Sequence, residues 1–180
     1  MKPVIYLLLS SIFFSFTFIE GEWVTIKSEK EGYKISFPKK PEEQSQNVPS
    51  DVGELKMNMW ICEVDSTIKD DNLVYLFNYT DYPEKLFKES DSSLTAGILD
   101  GAVNGGVKNV KGKLISVENE TYKNYPGRNA RIDYNDGQAI ITMKCYMVKN
   151  RIYLLEIITL TQNDKNADMK KFIDSFELLN

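Results

Sequence analysis

Apolar and polar residues alternate with a period of two over most of this chain, and in two stretches the period lengthens to that of a helix. Trp23 to Lys27 and Tyr33 to Phe37 have the length and alternation of short strands, joined by the charged turn Ser28 to Gly32. Leu55 to Val64 sets Leu55, Met57, Met59 and Ile61 against Lys56, Asn58 and Trp60, and Leu73 to Thr80 carries Tyr75, Phe77 and Tyr79 on one side. Between the first and second pairs of strands, Pro38 to Asp51 holds Pro38, Pro41 and Pro49 with little apolar content, which predicts a surface loop.

From Pro83 the spacing changes. Leu94, Ile98 and Ala102, with Leu99 and Val103 beside them, and then Val107 recur as on one helical face, with Pro83 suited to a first turn. Gly97, Gly101 and Gly105 line a stripe of that helix. Each costs about 1 kcal/mol against Ala in a helix interior, so the stripe predicts close approach to a sheet. Strands resume at Lys113 to Glu118, Arg128 to Tyr134, Gln138 to Val148 and Arg151 to Leu160, with turns at Asp136-Gly137 and Lys149-Asn150. Tyr125-Pro126-Gly127-Arg128 reads as a type II turn leading into the second of these. Two-residue turns pair Tyr134 with Ala139 and Met147 with Ile152, which aligns Ala130, Met143 and Glu156 in one row and Arg128, Cys145 and Leu154 in the next. Arg151 to Leu160 is apolar on both faces and requires cover from both sides. Asn166 to Phe176 supplies one cover, a helix with Met169, Phe172, Ile173 and Phe176 on one face. The whole predicts the α/β class: an α/β/α sandwich, a mainly antiparallel sheet with the long helix on one face and the C-terminal helix on the other.

The first 21 residues stand apart. Met1 and Lys2 precede an apolar run from Val4 to Ile19, the form of a secretory signal, with the mature chain beginning between Phe18 and Glu22. Residues 22–180 then make a single domain in the secreted, periplasmic or cell-envelope space, and membrane contact arises only if the signal stays uncleaved. Export leaves two readings of Cys62 and Cys145, a disulfide or two free thiols; both lie in apolar strand patterns, where a free Cys serves as a small hydrophobe.

A formal charge of −4, from 22 basic and 26 acidic residues, excludes the concentrated positive surface that nucleic acid requires. The chain has no histidine, which removes the usual general base, the commonest metal ligand and the partner of a Ser or Cys nucleophile. No catalytic residue, metal ligand or cofactor is read from the sequence. The leading expectation is a non-catalytic binding module for a protein or a glycan; the second is an enzyme or carrier for a small envelope metabolite, with carboxylates acting. Candidate contact residues are Arg128, Glu156, Tyr125 and Trp60. Arg128 and Glu156 share a mostly apolar face, either as an ion pair at the rim of the core or as a groove where the guanidinium fork holds an anion. Trp60 points away from Met59 and Ile61, toward a face that is solvated or covered by another element.

The stretches YKISFPKKP (33–41), YPGRNARIDY (125–134), CYMVKNRIYLLEI (145–157) and KKFIDSFELL (170–179) together resemble exported bacterial domains with the PsbP/Mog1-like fold. The resemblance runs through nearly all of residues 22–180 and implies that fold. Its motifs are strand and turn signatures, so it carries no functional residue onto this chain; the photosystem and Ran-binding members of the group are non-catalytic.

Overall fold

The structure, a computed structural model, describes residues 22–65, 68–87 and 92–179. The signal segment 1–21 lies outside the described residues. Ten strands and two helices follow in order: β1 (Val24–Ser28), β2 (Tyr33–Phe37), β3 (Glu42–Ser50), β4 (Gly53–Glu63), β5 (Asn72–Asp81), α1 (Ser92–Asn109), β6 (Lys113–Tyr122), β7 (Tyr125–Tyr134), β8 (Ala139–Val148), β9 (Arg151–Leu160), α2 (Ala167–Ser175) and β10 (Glu177–Leu178). Seven strands form an antiparallel sheet in the order β3-β4-β5-β9-β8-β7-β6, and β1, β2 and β10 form a second, smaller sheet. The large sheet is covered by α1 on one face and by α2 with the small sheet on the other. Among the described residues no helix is long and apolar enough to cross a membrane.

The predicted register of the C-terminal meander is the observed one. Tyr134 pairs with Ala139 and Met147 with Ile152, so Ala130-Met143-Glu156 and Arg128-Cys145-Leu154 are consecutive rows. On the α2 side, Tyr33, Trp60, Phe77, Tyr79, Tyr153 and Phe176 build an aromatic core with ring centroids 4.8 to 6.4 Å apart. On the α1 side the core is aliphatic, with Leu99 and Val103 of the helix against Ala130, Ile132, Ile141 and Met143. Both cysteines are buried free thiols; burial raises the pKa of each, that of Cys145 to about 12.

Five local expectations are corrected. The segment predicted as a loop between Pro38 and Asp51 contains strand β3, paired along its whole length with β4. It is largely exposed on both faces and held mainly by its backbone pairing with β4, so no hydrophobic period marks it. The turn predicted at Tyr125-Pro126-Gly127-Arg128 is strand. The chain reverses two residues earlier, where Lys123 and Asn124 take φ of 47° and 71° and pair Tyr122 with Tyr125 as in a type I′ hairpin. Pro126 precedes the first β7 residue that pairs with β8, and Gly127 is required by packing: a Cβ there would lie 2.5 Å from the Tyr146 ring and closer still to the Cys145 carbonyl. Helix α1 is described from Ser92 to Asn109, and Pro83 instead opens a short 3-10 turn at Glu84–Leu86. The glycine stripe faces open space: a Cβ on Gly97, Gly101 or Gly105 would meet nothing within 4 Å, while the close approach occurs at Gly106, against Met143. Finally, β1 and β2 do not join the main sheet but lie across its aromatic face.

Candidate functional site

Two regions hold polar chemistry that the core does not consume. The first is an open groove of about 730 Å3 where the β1–β2 turn, the end of β5, the β6–β7 and β8–β9 hairpins and the C-terminal residues converge. Its floor is Arg151. The guanidinium donates from Nε and Nη2 to the Asp81 carboxylate at 2.5 and 2.7 Å, from Nη2 to Glu31 Oε2 at 2.8 Å, and from Nη1 to the Glu31 carbonyl at 2.7 Å. It also lies 4.2 Å from the Tyr79 ring centroid, a cation–π contact. Burial opposes its charge, but the bonds to Asp81, Tyr153 and Glu31 outweigh that and keep it protonated, while Arg151 and Lys30 hold the Glu31 carboxyl below the usual range. The Tyr153 hydroxyl donates to the Glu31 carbonyl at 3.1 Å. Arg151 therefore fastens the small sheet to the large one. Around this floor stand Lys123, Tyr125, Lys149 and Glu84; among the described residues, Lys149 and Glu84 have no ion pair.

The second region is the α1-side face of the large sheet beyond the helix. Helix α1 rests on β7 and β8, whose inward residues Ala130, Ile132, Ile141, Met143 and Cys145 are fully buried. On the neighbouring strands Ile61, Val74, Leu76, Glu156 and Ile158 keep part of their surface. Glu156 has no ion pair or side-chain hydrogen bond among the described residues, and desolvation by its surroundings pushes its carboxyl up to about 7.

The four predicted contact residues scatter. Arg128 and Glu156 do share a face, but they do not pair: Arg128 Nε donates to Asp100 Oδ1 of α1 at 2.7 Å, a residue that helical spacing alone did not single out. Glu156 is left alone. Trp60 is buried under β2, stacked with Tyr79 at 5.9 Å and edge-on to Tyr33 at 5.5 Å, so it belongs to the core. Tyr125 lines the groove. Arg151, the residue that organises the groove, was not singled out from the sequence; its place directly after the Lys149-Asn150 turn, at the mouth of a strand otherwise apolar on both faces, was the available signal. Ser36 and Lys39 stand in a Ser-x-x-Lys spacing, which needs a helical turn to bring the two together. Here Ser36 is in a strand and bonded to Thr25, and Lys39 pairs with Asp65.

No family model and no curated protein matches the chain. Among solved structures it is similar to cyanobacterial PsbP from Synechocystis sp. PCC 6803, at 11% identity and a TM-score of 0.47, over 88% of this chain and 93% of that one. The α/β fold class rests on the strand order and helix placement described above.

Proposed function

We propose that the protein is an exported, non-catalytic binding module and that the groove over Arg151 is its contact surface for a protein or glycan partner. The observation that carries this reading is the preformed floor: a partly buried guanidinium held by two carboxylates and a carbonyl fixes three chain segments in one geometry before any partner arrives. On the rim, Lys149 and Glu84 offer unengaged charges of both signs beside Tyr125, a combination suited to a polar partner. The two carboxylates on the floor, Glu31 and Asp81, are both committed to Arg151, which disfavours the reading of a carboxylate-dependent enzyme at this place.

The test is capture from the exported fraction of the producing cell by tagged wild-type chain and by a Tyr125→Ala, Lys149→Glu variant. A partner retained by the wild type and lost by the variant, with unchanged melting, supports the groove. Equal capture by both would remove the groove from the account.

A further inference from the structure

Strand β5 places Asn78 and Thr80 on the same face as Glu156, one and two rows away. Asn78 and Thr80 are 5% and 6% exposed, and neither side chain has a hydrogen bond among the described residues. Leu76 is the direct cross-strand neighbour of Glu156, and Ile61 continues that row on β4. Asn78 is the diagonal neighbour of Glu156, roughly 7–8 Å away between backbones. Two acceptors without partners, a carboxylate and an amide oxygen, thus stand side by side on an aliphatic floor of Leu76, Ile61, Val74 and Ile158 that α1 leaves half open.

We infer that this shelf is a binding site for an aliphatic primary amine, separate from the groove over Arg151. The ammonium has three donors and no acceptor, which matches Glu156 and the Asn78 amide oxygen; the alkyl body takes the aliphatic floor. An anion is refused by Glu156, and an alcohol leaves the carboxylate without a counter-charge. Charged and titratable groups on the surrounding elements are Asp100 of α1 and Arg128 of β7, paired with each other, Cys145 of β8, whose thiol is pushed up to about 12, Tyr82 after β5, whose hydroxyl burial also pushes up, and exposed Glu63 of β4. Glu156 is therefore the group whose charge changes near neutral pH.

The probe is octylamine, with octanol and octanoate as controls, titrated into the full chain and followed by NMR. Octylammonium should shift signals of Leu76, Ile61 and Ile158, and its binding should strengthen about tenfold from pH 6 to pH 8 as Glu156 ionises. Glu156→Gln, which keeps the shape, should weaken it by roughly tenfold or more, the worth of a charge-assisted hydrogen bond, and abolish the pH dependence. Asn78→Ala should weaken it less and leave the pH dependence in place. Equal binding of octanol, indifference to Glu156→Gln, or shifts confined to Tyr125 and the groove would each overturn the assignment; the last would leave the groove reading intact.

Discussion

The two faces of the large sheet differ in how completely they are covered. On the α2 side, Tyr75, Phe77, Tyr153, Leu155 and Ile157 are sealed by the small sheet and the helix. Asn72 donates to the Tyr75 hydroxyl at 2.6 Å and that hydroxyl to Asp70 at 2.8 Å, while Asn129 Oδ1 and Thr142 Oγ1 on the same face are buried with no hydrogen-bond partner among the described residues. On the α1 side one helix rests on a seven-stranded sheet, so the inward residues of β8 are sealed while Ile158 and Glu156 of β9, Val74 and Leu76 of β5 and Ile61 of β4 keep part of their surface. Glu156 sits at that boundary. A full cover would leave the carboxylate costly unless it were paired, and no cover would leave it an ordinary surface acid. Half a cover leaves a strained charge with room beside it.

The largest test of this contrast is a pair of neighbours on one strand. Phe77→Ala, on the sealed face, should cost about 3–5 kcal/mol in chemical denaturation, while Leu76→Ala, on the half-open face, should cost about 1–2 kcal/mol, below the range for a sealed Leu. Equal losses would mean that the faces are equally packed. Next in size is Glu156→Gln. A carboxyl raised to about 7 binds its proton more tightly folded than unfolded, so it lowers stability as pH rises from its unfolded value near 4.5 through 7. The variant should therefore be more stable than the wild type by on the order of 2 kcal/mol at pH 8, with the advantage vanishing near pH 4. An unchanged difference across that range would contradict the desolvated carboxyl. Smallest is Gly101→Ala on the solvent side of α1, where a methyl meets nothing within 4 Å; it should raise stability by about 0.5–1 kcal/mol, read from the thermal midpoint. A loss would show that the stripe packs against something after all.

What the sequence made legible follows from burial. The register of β7, β8 and β9 was readable because each has a sealed face and the connecting turns are short, so a slip of one residue would expose the whole apolar set. Strand β3 was not, because its side chains pay no part in a core. Pro126 and Gly127 looked like a turn because local chemistry allows one, but the left-handed pair Lys123-Asn124 had already turned the chain. The face shared by Arg128 and Glu156 was readable from alternation; the partner of Arg128 was not, since it depends on how α1 is rotated over the sheet. The groove draws on five segments distant in sequence, and among its lining only Tyr125 is a contact residue that the sequence predicts.

The most direct measurement is a carbon-detected NMR titration of the Glu156 side-chain carboxyl in the full chain. An unpaired carboxyl at the edge of an incomplete cover should titrate with a midpoint near 7. A midpoint near the ordinary 4.5 would mean that Glu156 is solvated like any surface acid, and the distinction between the two faces would lose its central residue.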